Sequence, residues 1–249
     1  MTIFYFTATG NSLAVAKQLG GTLVSVPQVI QSENQRYKDD IIGIVFPLHW
    51  WSPPIMVRRF MEKAHFEAEY IFAIGTYGSI VAGAMASLKK YADKKRYRFD
   101  YINQVQMLDN YIPAFDMNTQ EKKLPKKRVA ESVDKIVMDI TNRKQKNAPS
   151  YPWSLALTAY MRSKFKPEKD AQEYIVDDKC NVCGVCSQVC PANNIVVSDK
   201  VGFGSQCEGC FACLHLCPQN ALHMKNEKSG KRWRNPAVSL NEIIKANNR

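Results

Sequence analysis

Eight cysteines are the residues of this sequence with the clearest chemistry, and all of them fall between Cys180 and Cys217. Three are spaced by two residues each, a fourth follows after three more, proline comes next, and the pattern repeats 27 residues later. Three thiolates on such a tight loop can reach three irons of one cubane, while the fourth points toward the other cluster. The spacing therefore predicts two 4Fe–4S clusters that exchange their fourth ligand. We assign Cys180, Cys183, Cys186 and Cys217 to one cluster, and Cys207, Cys210, Cys213 and Cys190 to the other.

Zinc and disulfide bonds are the two alternatives for these cysteines. Zinc sites usually separate their cysteine pairs by longer gaps, and disulfides would require an oxidising compartment, for which the sequence shows no export signal. No cysteine of either motif is replaced, which also argues against a 3Fe–4S centre.

The cysteine-rich segment resembles bacterial-type two-cluster ferredoxins over residues 174–225. Gly184 and Gly209 suit the tight loops around such clusters, where backbone must approach closely. Asn193 and Asn194 depart from the resemblance, because small residues such as glycine are more usual there. We therefore expect the turn before Ile195 to differ.

A second candidate site is a hydroxyl-rich turn near the start of the chain. It offers three hydroxyls and the N–H groups of a helix start, which together form a nest for a phosphate. It lacks the Gly-Lys-Ser/Thr of a Walker loop and the three spaced glycines of a dinucleotide fingerprint. Taken alone, the turn could also be a plain helix cap. Its residues are Thr7, Ala8, Thr9, Gly10, Asn11 and Ser12.

Two aromatic loops follow later candidate strands. Ligands of open parallel sheets bind at the carboxyl ends of the strands, so these loops and the hydroxyl-rich turn suit a planar, anionic cofactor. Adjacent tryptophans are also common in cores, and a loop histidine such as His49 is often simply solvated. No role is predicted for His65, His215 or His223. The loop residues are Pro47, Leu48, His49, Trp50 and Trp51, and then Thr76, Tyr77, Gly78 and Ser79.

The elements that position these loops alternate strand and helix, which predicts an α/β fold with a parallel sheet covered on both faces. A last amphipathic helix is predicted over Glu121–Asn142. The remaining predicted strands are Thr2–Phe6, Thr22–Val26, Ile41–Phe46, Tyr70–Thr76 and Tyr101–Met107, and the helices are Ser12–Leu19, Ile55–Lys63 and Ala82–Asp93.

Residues 1–145 resemble flavodoxins, whose phosphate motif matches Thr7 to Ser12. The resemblance implies a doubly wound five-stranded sheet of order 2-1-3-4-5 that binds FMN. Thr7, Thr9, Asn11 and Ser12 would hold the FMN phosphate, and Trp50 or Trp51 would cover one face of the isoalloxazine. Thr76 to Ser79 would line its polar edge, and Asn110 and Tyr111 would form a further wall.

The whole chain looks like the bacterial and archaeal flavodoxin–ferredoxin fusion family. We predict a flavodoxin-like domain over residues 1–146 and a small α+β two-cluster ferredoxin-like domain over residues 174–225. Between them, residues 147–173 form a connector with a short helix at Trp153–Phe165, which is apolar enough to pack on one or both domains. Residues 226–249 form a C-terminal tail.

The 249 residues carry a formal net charge of +11, which bound clusters and a flavin phosphate would reduce. Much of the excess lies in a run that reads as a solvated helix face or as a docking surface for an acidic redox partner. Its lysines do not interleave with aromatics as in a nucleic-acid-binding fold, so binding to nucleic acid is not predicted. No apolar stretch is long enough to span a membrane, and we expect a cytoplasmic protein. The run comprises Lys122, Lys123, Lys126, Lys127, Arg128, Arg143, Lys144 and Lys146.

A flavin beside two clusters would convert between two-electron and one-electron redox steps. One hypothesis is an electron carrier with protein redox partners. The alternative is an FMN-dependent oxidoreductase that reduces a small-molecule acceptor with electrons delivered through the clusters. Direct oxidation of NAD(P)H is not predicted, since no dinucleotide fingerprint is present.

Overall fold

Five parallel strands form the central sheet of the computed structural model, which describes residues 1–95 and 97–248. Their order in the sheet is β2-β1-β4-β6-β7, and β3 and β5 form a separate parallel pair outside it. When only the five strands of the sheet are numbered, this order is 2-1-3-4-5, as predicted. The strands are β1 (Thr2–Tyr5), β2 (Thr22–Ser25), β3 (Arg36–Lys38), β4 (Ile41–Pro47), β5 (His65–Glu67), β6 (Tyr70–Tyr77) and β7 (Tyr101–Gln106).

Helices cover both faces of this sheet. The chain moves to one side from β1 to β2 and to the other side from β4 to β6, so right-handed crossovers put the intervening helices on opposite faces. The loops after β1 and β4 consequently diverge and leave a crevice at the carboxyl edge. The helices of this half are α1 (Asn11–Leu19), α2 (Val26–Val29), α3 (Ile55–Lys63), α4 (Lys89–Lys95), α5 (Met117–Lys123) and α6 (Val129–Thr141).

Two predicted helices are interrupted. The helix expected over Glu121–Asn142 is broken into α5, a 3-10 turn at Leu124–Lys127 and α6, because Pro125 cannot continue a helix and Arg128 is left-handed at φ 48°. The helix expected over Ala82–Asp93 begins only with a 3-10 turn at Ala86–Leu88, since Ala82 is also left-handed at φ 45°.

The cysteine-rich region is built from two short antiparallel strand pairs and two short helices, and a connector precedes it. The connector contains two helices where the sequence predicted one. No helix among the described residues has the length and apolar character to cross a membrane. The elements are α7 (Pro152–Lys164), α8 (Pro167–Gln172), β8 (Ile175–Val176), α9 (Val185–Gln188), β9 (Ile195–Val197), β10 (Val201–Phe203), α10 (Ala212–Leu216), β11 (Leu222–His223) and α11 (Leu240–Asn247).

Candidate flavin and cluster sites

The hydroxyl-rich turn lies between β1 and α1, at the carboxyl edge of the sheet. Gly10 precedes the helix with φ 99°, a conformation that favours glycine. Thr7, Thr9 and Ser12 are all buried, and the Thr7 Oγ1 has no hydrogen-bond partner among the described residues. A buried hydroxyl without a partner costs free energy unless a ligand supplies one. The turn therefore fits a phosphate, with Thr7 as an available donor.

The other polar groups of the turn tie it to the neighbouring loops. The hydroxyls of Ser12 and Thr76 are 2.8 Å apart, and Asn110 Nδ2 donates to Thr9 Oγ1 over 2.8 Å. Asn11 Nδ2 donates to the Leu108 carbonyl over 3.4 Å. The three loops are thus joined by hydrogen bonds, and the Asn11 side chain bonds to the loop after β7.

Beside this turn lies a larger cavity of about 300 Å³ with mainly apolar walls, to which several aromatic side chains contribute. Trp50 and Trp51 both line it and both have left-handed backbone, at φ 46° and 57°. Trp50 lies 5.9 Å from Tyr111, edge to face, and 5.9 Å from Phe165, stacked at 26°. The cavity suits a planar ring, and both tryptophans remain candidates to cover it.

The structure brings the predicted flavin residues together. Every one of them except Gly10 lines this cavity or the smaller polar cavity that adjoins it around the turn. Asp109, which was not predicted, lies between the predicted loops, while Met161 of α7 arrives from the connector, with no local signal in the sequence.

Charge is sparse around these two cavities. Among the described residues, Asp109 is the charged side chain that lines them, and it accepts a hydrogen bond of 2.7 Å from Ser79 Oγ. Lys127, predicted as part of a solvated run, is partly buried and donates to the carbonyls of Gly78 (2.9 Å) and Met107. Burial lowers the pKa of Lys127. This lysine therefore clamps the loops after β6 and β7.

His49 is enclosed more than a solvated loop residue would be. Its Nδ1 is buried without a partner among the described residues, and burial lowers the pKa of the ring to about 4. The ring is therefore neutral at pH 7 and adds no positive charge to the cavity.

The cysteines line two separate cavities in the predicted groups. Each cavity is bordered by three cysteines of one motif and the fourth of the other. The first cavity has Cys180, Cys183, Cys186 and Cys217, and the second has Cys207, Cys210, Cys213 and Cys190.

Backbone N–H groups point at the sulfurs with the symmetry of the sequence repeat. Asn194 N–H donates to Cys190 Sγ, and 27 residues later Ala221 N–H donates to Cys217 Sγ, both over 3.3 Å. Such bonds stabilise thiolate sulfur. Asn193, at a position where the resemblance has small residues such as glycine, is left-handed at φ 50°, and its repeat equivalent Asn220 has φ 49°. Asparagine tolerates this conformation, so the two repeats share a left-handed residue at this position.

The cysteine cavities suit cubanes better than single ions. No three His, Cys, Asp or Glu side chains within residues 1–95 and 97–248 converge on a point that could hold one metal ion. A cubane instead attaches each thiolate to a different iron. Burial raises the pKa of Cys186 and of Cys207 to about 11. These thiols would therefore become thiolates only when iron coordinates the sulfur and displaces its proton.

We call the larger cavity beside the hydroxyl-rich turn the flavin cavity, after the predicted ligand. One wall separates it from the second cysteine cavity. Cys210 and Phe211 line both, and Gly209 also faces the flavin side. The Phe211 ring lies 5.6 Å from that of Tyr111. The first cysteine cavity is more peripheral, since Cys183 is exposed while Cys210 is buried.

Buried polar contacts fix this junction. Glu208, 5% exposed, accepts a hydrogen bond of 3.2 Å from Met56 N–H near the start of α3. His215 bridges the Asn110 carbonyl (2.8 Å) and Trp233 N–H (3.1 Å), and burial lowers its pKa to about 4. Since Nδ1 accepts from Trp233, Nε2 carries the proton that is donated to Asn110. His215, for which the sequence predicted no role, therefore links the two regions.

Comparison with known proteins supports the two halves unequally. Residues 172–218 match the family model described as a 4Fe-4S dicluster domain, and no curated protein matches the chain. Among solved structures, the chain is similar to a candidate flavoprotein from Bacteroides uniformis ATCC 8492, with 18% identity, 49% of this chain and 95% of that chain covered, and a TM-score of 0.34.

A candidate flavoprotein from Bacteroides eggerthii DSM 20697 is similar at 16% identity, with 52% of this chain and 96% of that chain covered and a TM-score of 0.32. TM-scores this low carry no argument about cofactor or activity. The strand order and the family match are independent of them. Together they show a flavodoxin-like parallel sheet followed by a small, cysteine-rich, ferredoxin-like region with a 4Fe–4S dicluster domain.

Proposed function

We propose that the protein transfers electrons between an FMN site and two 4Fe–4S cluster sites, and exchanges them with protein redox partners. The observation that carries this proposal is the shared wall, because Cys210 and Phe211 border both the flavin cavity and the second cysteine cavity. When bound, FMN supplies two-electron chemistry that can be divided into single steps, and each cluster supplies one-electron chemistry.

The residues of the chain would hold and orient these groups. The Thr7 hydroxyl and the N–H groups of the turn would bind the phosphate, and the aromatic walls would exclude water from the ring. The peripheral position of the first cysteine set favours a linear arrangement from protein surface to first set, second set and flavin cavity. In this arrangement Cys183 lies nearest to an external partner.

An acidic partner would also find a positive surface near the flavin loops. Lys122, Lys123 and Lys126 are exposed and lie in or beside the 3-10 turn at Leu124–Lys127. Lys127 of the same turn donates to the Gly78 carbonyl. Other members of the predicted run have structural partners instead, since Arg143 pairs with acidic side chains and Lys146 donates to an asparagine. The docking proposal therefore narrows to the three exposed lysines.

The alternative of a small-molecule reductase has one observation in its favour. Ile80 lines the flavin cavity and is 53% exposed, so the cavity opens to solvent at that point. Steady turnover of a quinone or nitro compound by the purified, reduced protein would favour this alternative over a carrier.

The decisive experiment is anaerobic purification followed by an ultraviolet–visible spectrum and analysis of flavin, iron and sulfide. The proposal expects FMN together with the iron and sulfide of two cubanes, and reduction of the flavin when a low-potential one-electron donor is supplied. A Cys210→Ser variant should lose the second cluster and slow that reduction. A protein that is colourless and contains no iron would refute the proposal.

A further inference from the structure

The C-terminal segment returns from the cysteine-rich region to the flavodoxin-like domain. We call residues 233–248 the strap. Its helix α11 packs against α2 of the first domain and α9 of the second. The sequence predicted only a tail here, yet Val238, Ile243 and Asn247 are all 0% exposed. The strap is therefore an integral part of both regions.

The first half of the strap is bonded to the back of the hydroxyl-rich turn. Asn235 N–H donates to the Thr9 carbonyl over 2.8 Å, and Asn235 Nδ2 donates to Asn11 Oδ1 over 3.0 Å. The remaining side-chain atom, Asn235 Oδ1, accepts from Ala237 N–H over 3.0 Å. The Asn235 carbonyl accepts from Val238 N–H over 3.1 Å, so all four polar groups of Asn235 are engaged in fixing the turn or the strap itself.

The strap also packs directly on Gly10. A Cβ at Gly10 would lie 3.1 Å from the Cβ atoms of both Asn235 and Val238, closer than ordinary packing permits. The left-handed backbone of Gly10 favours glycine, and the close approach of the strap leaves little room for a side chain at this position.

The second half of the strap bridges the two proposed redox sites. Asn247 Nδ2 donates to the Thr7 carbonyl over 3.2 Å and to the Val189 carbonyl over 3.0 Å. Thr7 begins the proposed phosphate turn, and Val189 precedes Cys190 of the second cysteine cavity. One buried amide consequently holds a carbonyl in each domain.

Local contacts hold the strap in this position. Ser239 and Glu242 form a capping box at the start of α11, and Lys17 of α1 pairs with Glu242 over 2.7 Å. Ser25 Oγ donates to the Ala246 carbonyl. The strap is thus anchored on α1 and β2 as well as on the turn.

From these contacts we infer that the strap is a working part of the phosphate site. In a trans peptide, the carbonyl of one residue and the N–H of the next point in opposite directions. The strap binds the carbonyl of Thr7 from outside, so the N–H group of Ala8 turns toward the cavity that Ala8 lines. Asn235 Nδ2 also holds the side chain of Asn11, which lines the same cavity. The strap thereby presets polar groups of the turn, and its hold on Val189 makes that setting depend on the second domain.

This inference rests on the proposed FMN site, and its test uses the phosphate as the discriminating group. FMN and riboflavin binding are titrated in the full, cluster-loaded chain after removal of bound flavin. Asn247→Ala removes the bond to the Thr7 carbonyl and should raise the FMN dissociation constant by roughly tenfold, as expected for loss of one well-placed hydrogen bond of about 1.4 kcal/mol. Asn235→Ala keeps the backbone bond to Thr9 but removes the side-chain bond to Asn11, and it should act in the same direction. Riboflavin affinity should change by less than about twofold.

The matched control is Asn248→Ala, because Asn248 is an exposed neighbour of Asn247. It should leave both affinities and the iron content at wild-type values. Equal losses of FMN and riboflavin affinity in the strap variants would overturn the inference, as would unchanged FMN affinity. If Asn247→Ala yields no soluble protein, Asn235→Ala decides alone. A wild-type protein that binds no FMN would instead refute the proposed function itself.

Discussion

The hydroxyl of Thr7 allows a prediction whose sign reverses when flavin binds. It is 1% exposed and has no partner among the described residues, although it borders the proposed phosphate site. Thr7→Val keeps the shape and removes only the hydroxyl. Without flavin, the variant should unfold with a free energy unchanged or up to about 1 kcal/mol higher, because a buried unpaired group has been removed.

With FMN, the same substitution should be harmful. A hydrogen bond to a charged group contributes about 1.5–3 kcal/mol, so the FMN dissociation constant should rise by roughly 10- to 100-fold. Riboflavin, which lacks the phosphate, should bind wild type and variant alike. Urea unfolding of the flavin-free protein and fluorescence titration with both flavins measure the two effects.

Thr2→Val is the matched control, since Thr2 lies at the other end of β1 and donates to Asp39 Oδ2 over 2.7 Å. It should lower stability by about 1 kcal/mol and leave FMN affinity unchanged. If Thr7→Val instead destabilises the flavin-free protein and spares FMN affinity, the Thr7 hydroxyl serves the fold and not a phosphate.

Three further predictions concern the rest of the chain. Val182→Gly should raise the urea midpoint, by about 1 kcal/mol of stability, because a β-branched residue is held left-handed at φ 50°; a lower midpoint would contradict the backbone conformation. Cys217→Ser should alter the same electron paramagnetic resonance signal as Cys183→Ser, since both line one cavity; matching Cys210→Ser instead would refute the exchanged ligand. Asp139, whose pKa is lowered chiefly by a hydrogen bond from Lys144, contributes stability that is present above about pH 4 and lost as the pH falls through the lowered pKa. Asp139→Asn should therefore cost about 1–3 kcal/mol at neutral pH and flatten the acid limb of the stability curve, and an unchanged limb would contradict this.

The cysteine grouping could be predicted from the sequence because it is set over short distances along the chain. Cys180, Cys183 and Cys186 lie on one loop, and the repeat repositions the fourth cysteine of each motif beside the other loop. The flavin loops were predictable for a related reason. Parallel strands end at one edge, so loops that follow strands must meet there whatever their separation in sequence.

Residues whose role depends on contact between domains gave no such signal. His215 lies between two cysteines of a motif, and only the fold shows that it bridges Asn110 and Trp233. Asn235 and Asn247 lie more than 200 residues from the turn they hold. Hydrophobic periodicity reports burial within an element, and it cannot identify the distant carbonyl that an asparagine will find.

The left-handed backbone positions of the two cysteine motifs differ where the two regions of the protein meet. Each cysteine motif has two left-handed positions: Val182 and Gly184 in the first, and their equivalents Gly209 and Phe211 in the second. Glycine occupies one position in each motif, but not the same one. Gly209 lies where a Cβ would be 2.5 Å from the ring of Phe165, so only glycine fits beneath the connector. Phe211 accepts the strained conformation at the position where its ring forms the wall between flavin and cysteine cavities. Val182 is strained in the same way but lines only the first cysteine cavity, so it is the position of the Phe211 ring in the shared wall, and not strain alone, that distinguishes the second motif.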